Sequence, residues 1–85
     1  MIVFTFTDKS LKIFIKLEKK TRERIAEKLE QLKSHSDIFS VFKTVTNLEP
    51  ATHRLRIGNY RLLLMQKSEN EFLILKLGHR SEIYQ

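Results

Sequence analysis

Gly58 and Asn59 separate two runs that alternate in polarity, His53-Arg54-Leu55-Arg56-Ile57 and Tyr60-Arg61-Leu62-Leu63-Leu64-Met65. A two-residue loop with glycine first is a hairpin signal, because glycine reaches the positive φ of a primed turn without steric cost. The loop sets the register: Ile57 opposite Tyr60, Arg56 opposite Arg61, Leu55 opposite Leu62. Partners on neighbouring strands share a face. Leu55, Ile57, Tyr60, Leu62 and Leu64 therefore form one side, the expected core, and Arg54, Arg56, Arg61, Leu63 and Met65 the other.

A polar turn, centred on Ser68-Glu69, is expected before Phe72-Leu73-Ile74-Leu75-Lys76-Leu77, a third strand ended by Gly78. That centring places Lys76 opposite Arg61 and gathers Arg54, Arg56, Arg61 and Lys76 on one face. It also sets Leu63, Met65, Phe72 and Ile74 beside the arginines as an apolar rim. Residues 80–84 read as a last short strand.

The first half has a different period. Ile2, Phe4 and Phe6 alternate with Val3 and Thr5 as in a half-buried strand at or near a sheet edge. Thr7 and Asp8 supply capping oxygens, and Leu11, Ile13, Phe14, Ile15 and Leu17 make a broad apolar arc, which predicts a helix over 8–18. Thr21 is the expected cap of a second helix carrying Ile25, Leu29 and Leu32 at i, i+4 and i+7. Residues 36–42 read as a connection with one helical turn, and Pro50 closes the next segment. The expected fold is α+β: one N-terminal strand, a helical hairpin, then an antiparallel β-meander, in a single domain over 1–85.

Sixteen Lys and Arg against ten Asp and Glu give a formal charge of +6, which favours polyanionic or acidic partners. Arg56 opposite Arg61 is a like-charge cross-strand pair, destabilising unless an anion joins it, and guanidinium forks match phosphate oxygens. The plain alternative is a strand face whose arginines fan into water. Lys9, Lys12, Lys16 and Lys19 recur at i, i+3, i+7 and i+10, a second candidate track for phosphates, though such a stripe also describes the wet side of an amphipathic helix. On the second helix Arg22, Arg24 and Lys28 alternate with Glu23, Glu27 and Glu30, a pattern of surface ion pairs.

The chain has no cysteine, which removes disulfides and thiolate chemistry and suits a reducing compartment. The apolar opening stops at Asp8, too soon for a signal-peptide core, and no later run approaches the roughly 18 residues of a bilayer span. A cytoplasmic protein with no membrane contact is expected. His35, His53 and His79 lie far apart with no carboxylate pair at ligand spacing, so no metal site is expected. With only two glycines there is no phosphate-binding Gly-rich loop or nucleophile elbow, which excludes the usual nucleotide hydrolases.

The segments His53-Arg54-Leu55-Arg56-Ile57-Gly58-Asn59-Tyr60-Arg61-Leu62 and Leu77-Gly78-His79-Arg80-Ser81-Glu82-Ile83-Tyr84, in that order, resemble the RelE branch of the RelE/ParE toxin superfamily. The order of strand, helical hairpin and antiparallel sheet agrees over essentially the whole chain. The resemblance implies the toxin of a prokaryotic type II toxin-antitoxin pair that enters the ribosomal A site and cleaves the mRNA there. It implies a RelB-like antitoxin as partner and no cofactor.

Such cleavage is attack of a ribose 2′-OH on the adjacent phosphate. It needs a proton acceptor, neutralisation of the developing phosphate charge, and stabilisation of the leaving 5′-oxygen. By resemblance Arg61 falls on the phosphate-stabilising arginine, Arg80 near the leaving-group arginine, and Tyr84 on the tyrosine that orients or stacks on RNA. Arg54 and Arg56 stand where well-studied active members carry lysines, one proposed to assist proton removal. Arginine, protonated beyond about pH 12, is a poor base, so these two are expected to position and neutralise. His79 and Glu82 are the nearby candidates for the acceptor, and Lys76, His79, Lys9, Lys12 and Lys16 are expected RNA contacts. Two other functions stay open: a ParE-like toxin that inhibits DNA gyrase by binding, and a degenerate relative that binds RNA without cutting it.

Overall fold

Thr7 ends the first strand and starts the first helix in one reciprocal contact. Its hydroxyl accepts from the Ser10 amide at 3.0 Å, while the Thr7 amide donates to Ser10 Oγ at 2.9 Å. This capping box satisfies amides that have no partner inside the helix. Ser10, fully buried, also donates to the Ile74 carbonyl at 2.7 Å and so ties the helix to the last strand.

In the computed structural model, which describes residues 1–35, 37–81 and 83, the elements run β1 (Val3–Phe6), α1 (Asp8–Ile15), α2 (Lys19–Leu32), a 3₁₀ turn (Ile38–Ser40), β2 (Lys43–Thr44), β3 (His53–Ile57), β4 (Tyr60–Ser68) and β5 (Glu71–His79). One sheet has the order β1-β5-β4-β3-β2. The meander β3-β4-β5 is antiparallel as expected, and β1 is an edge strand, paired parallel to β5.

The helical hairpin is present, but its corner lies earlier than the apolar arc implied. α1 ends at Ile15, and α2 begins at Lys19 with Glu18, not Thr21, at the cap position. The cause is a long side chain. Arg22 Nη1 donates to the carbonyls of Ile15 at 3.0 Å and Leu17 at 2.9 Å, satisfying the end of α1 without Gly or Pro.

Ile25, Leu29 and Leu32 of α2 pack with Ile2, Leu55, Ile57, Leu62, Leu64, Phe72, Ile74 and Leu77 in the main core. Both helices thus cover one face of the sheet, the face carrying Leu55 and Leu62. The register of β3 against β4 is the expected one.

The register of β5 is not. The turn falls at Glu69-Asn70, and Leu63 pairs with Lys76 while Leu64 pairs with Ile74, leaving Leu75 as an extra residue. A one-residue bulge reverses the faces of every residue on its far side. Phe72 and Ile74, expected as an apolar rim beside the arginines, are in the helix-covered core at 1% and 0% exposure. The arginine side instead presents Met65, Leu73 and Val3, with Val3 49% exposed. Leu63, also expected on that rim, is buried with Ala51 and Ile83 in a second small cluster, flanked by Val45, Leu48 and Leu75.

The expected strand over 80–84 is absent in the described residues. Arg80 and Ser81 form a turn, the Arg80 amide donates to the Asn59 carbonyl at 2.8 Å, and the Ile83 amide donates to the His79 carbonyl at 3.2 Å. β2, in the short segment between the connection over 36–42 and Pro50 for which no strand was expected, pairs Lys43 with Arg54 and Thr44 with His53. No helix among the described residues is long and apolar enough to cross a membrane.

His53 is buried among Phe39, Phe42 and Phe72, with ring centroids 5.6, 6.1 and 5.7 Å away. The Thr52 hydroxyl, which accepts from the Gln66 amide at 2.8 Å, lies 2.9 Å from His53 Nδ1. Burial pushes the imidazole below its ordinary value of 6.5. The unfolded chain therefore takes the proton first as pH falls, so this contribution to stability is complete above about pH 6.5 and is lost below it. The urea midpoint is expected to drop from pH 7.5 to pH 5, and to drop less in His53→Gln. An equal drop in both proteins would show that His53 is not its source.

Candidate functional site

β2, β3 and β4 bring four cations to the sheet face opposite the helices. Lys43 pairs with Arg54, and Arg56 pairs with Arg61, so two like-charge cross-strand pairs stand side by side. With Val41 these four side chains line a cavity of ≈ 180 Å³. Among the described residues none of the four has a carboxylate within ion-pair distance; the ion pairs there are Lys19–Glu23 and Lys33–Glu30, both on α2 and its end.

The turn orients Arg61. Gly58 has φ +61° and no positive φ occurs at Asn59, the pattern of a type II′ turn. Arg61 Nη1 donates to the carbonyls of Gly58 and Tyr60, each at 3.1 Å. One arm of the guanidinium is thus held by backbone dipoles, which fixes the fork and leaves its other donors to a ligand. Arg54 and Arg61 are half-buried, where their charge is less screened than in open water, and Arg56 is exposed. Clustered, unpaired guanidiniums and an ammonium are a receptor for a doubly accepting anion such as a phosphate.

The other residues singled out in the sequence fall elsewhere. Lys76 is exposed and sits opposite Leu63; Arg61 faces Gly78 instead, because the turn falls at Glu69-Asn70, one residue later than expected. His79 pairs with Tyr60, on the helix side of the sheet, and its ring meets the Tyr60 ring edge-on at 5.9 Å. Its Nδ1 lies 3.0 Å from Ser81 Oγ. No imidazole or carboxylate lines the arginine cavity among the described residues. Tyr60 itself is half-buried and borders an apolar cleft with Ile13 and Leu17, so its assignment to the core holds only at the core's margin.

Arg80 is exposed in the turn beside Asn59. Tyr84 and Glu82 lie outside the described residues. Lys9 and Lys12 on α1 and Lys16 at its cap are exposed, but they belong to the helix layer and do not join the arginines. Lys19, the fourth member of the expected stripe, belongs to α2 and pairs with Glu23. Lys43 was not among the expected residues. The signal for it was the short alternation of Val41, Lys43 and Val45 with Phe42 and Thr44, one turn before the arginine strand.

The family model described as the ParE toxin of type II toxin-antitoxin systems matches residues 4–84. The chain belongs to this toxin family. It is a type II toxin of the RelE/ParE superfamily, and its fold is that of RelE structures. A chain of the toxin-antitoxin complex RelBE2 from Mycobacterium tuberculosis is 23% identical, with a TM-score of 0.72 over 93% of the toxin and 98% of that chain. The isolated RelE toxin of E. coli is 22% identical, with a TM-score of 0.69 over 99% of the toxin and 92% of RelE. A chain of the archaeal RelE-RelB complex from Pyrococcus horikoshii OT3 is 20% identical, with a TM-score of 0.70 over 95% and 97% of the two chains. No curated protein matches the toxin by sequence.

Proposed function

We propose that this toxin is a ribosome-dependent mRNA endoribonuclease of the RelE kind, acting in the cytoplasm and silenced by a RelB-like antitoxin. The observation that carries this reading is the cavity of four cations on the open face of the sheet, none with an ion-pair partner among the described residues. A gyrase-binding surface has no need of a phosphate receptor, whereas cleavage of a phosphodiester does.

In the proposed reaction Arg56 and Arg61 hold the non-bridging oxygens of the scissile phosphate and neutralise the charge that develops on attack by the 2′-OH. Arg54 positions the ribose and phosphate. The Lys43 ammonium and the Arg80 guanidinium are assigned to donate hydrogen bonds to the leaving 5′-oxygen and stabilise its charge. Tyr84 stacks on the RNA, as its match to the family's tyrosine implies. Since His79 stands on the helix side of the sheet, the acceptor of the 2′-OH proton is assigned to the ribosome-bound substrate or its water rather than to this imidazole.

The M. tuberculosis RelBE2 and P. horikoshii RelE-RelB structures are toxin-antitoxin complexes. An acidic antitoxin segment laid over Met65, Leu73 and Val3 would reach the arginines beside them and cover the same face.

The matched family model is named for ParE, which favours the second reading, inhibition of gyrase by binding. Purified toxin tested in parallel on ribosomes programmed with a defined mRNA and on gyrase supercoiling separates the two. The nuclease reading expects cuts within the A-site codon, 2′,3′-cyclic phosphate ends and unaffected supercoiling. Blocked supercoiling with intact mRNA would transfer the assignment to the ParE mode.

A further inference from the structure

A second basic groove continues from the arginine cavity around the β3 side of the sheet. Arg24, Glu27, Lys28 and Gln31 of α2 face Arg56 and Gly58 across a cavity of ≈ 410 Å³. Arg56 lines both this groove and the arginine cavity, so the cations run without interruption from β4 over β3 to α2. The charge pattern of α2 predicts surface ion pairs, yet Arg24 and Lys28 make none among the described residues, although Glu27 lies in the same groove. Gly58 allows the approach: a Cβ there would stand 3.2 Å from the Arg24 guanidinium carbon.

We propose that this groove is a second phosphate subsite, which takes the backbone of single-stranded RNA beyond the nucleotide held in the arginine cavity. The inference rests on the nuclease reading and extends it: the substrate is a strand of several nucleotides that bends over β3. Arg24 and Lys28, spaced i and i+4 on one helical face, neutralise successive phosphates, and Gln31 one turn further adds an uncharged donor. Arg56 is the shared point at which the two subsites meet.

The test uses 2′-O-methyl RNA oligonucleotides, which keep the phosphates and lack the attacking hydroxyl. A dinucleotide is expected to bind the wild type and Arg24→Ala/Lys28→Ala equally, while an octanucleotide distinguishes them. Each phosphate contact on a single strand contributes about 0.7 to the slope of log affinity against log salt, so the double variant is expected to lose about 1.4. Its affinity loss between 50 and 200 mM salt is then about sevenfold smaller than that of the wild type. Because Arg24 packs on Gly58, Lys28→Ala alone, which removes no such contact, is expected to lose about 0.7. Glu27→Gln is expected to tighten octanucleotide binding.

A wild-type slope in Lys28→Ala together with unchanged binding in Glu27→Gln would overturn the subsite, and if Arg54→Ala still lowers the slope the nuclease reading stands. Tight wild-type binding of an acidic peptide at this groove, with no gain from the dinucleotide to the octanucleotide, would likewise overturn it. No binding of either oligonucleotide at 50 mM salt would remove the nuclease reading itself.

Discussion

Arg61→Ala is expected to lower the single-turnover rate of mRNA cleavage by about 10²- to 10³-fold, the range seen when one preorganised charge-stabilising donor is removed from a developing oxyanion. The side chain it deletes is held by two backbone carbonyls of its own hairpin, so its position is set before substrate arrives and no ordering is needed at the moment of reaction. Arg61→Lys keeps the charge and loses the fork, and is expected to recover only part of the rate. The fold should survive both changes, because the residue is half-buried on the open face and contributes nothing to the helix-covered core. Quench-flow kinetics on programmed ribosomes, with thermal unfolding as the control, measures the effect. A rate within threefold of wild type in Arg61→Ala would remove this residue from the phosphate site.

Phe72→Ala carries the largest expected effect on stability. Phe72 is 1% exposed and its ring meets Phe42 edge-on at 4.9 Å, Phe4 at 6.2 Å, Phe39 at 6.2 Å and His53 at 5.7 Å. It is the residue at which β1, β5, the 3₁₀ turn and the start of β3 come together. Truncating such a ring costs about 3–5 kcal/mol, against a total stability of about 4–13 kcal/mol for 85 residues. Most of the cooperative urea transition is expected to vanish at 37 °C. Phe72→Leu, which keeps most of the volume, should retain a folded protein with a lowered midpoint. A Phe72→Ala protein with a wild-type midpoint would show that this ring does not hold the elements together.

The same residue shows where sequence reasoning ran out. The hairpin of Ile57 and Tyr60 was legible because a glycine-first loop, flanked by the alternating Arg54-Leu55-Arg56-Ile57 and Tyr60-Arg61-Leu62, leaves one register. Phe72 to Leu77 is apolar at nearly every position, so its period carries no phase, and nothing in it marks Leu75 as the bulged residue. That extra residue turned Phe72 and Ile74 into the core, while the turn, one residue later than expected, moved Lys76 from Arg61 to Leu63.

The corner between the helices was hidden for another reason. It depends on Arg22 reaching back to the carbonyls of Ile15 and Leu17, a contact that no local propensity records. β2 is only two residues long and the alternation around it is brief, so Lys43 escaped notice. The arginine face itself was legible, since Arg54, Arg56 and Arg61 all lie on the hairpin whose register the glycine sets. Its continuation onto α2 was not, because the charge pattern of that helix reads equally well as a ladder of ion pairs until Arg24 and Lys28 are seen without partners among the described residues.

The nuclease reading requires that the toxin cut mRNA during translation through its arginine face. Wild-type toxin and Arg61→Ala, induced at equal levels in a bacterial host, can be compared by primer extension on one abundant mRNA with an intact start codon and on the same mRNA with that codon removed. That reading expects in-frame cuts in the translated message alone, present with the wild type and lost with Arg61→Ala. Growth arrest by the wild type with no cut in either message would contradict it.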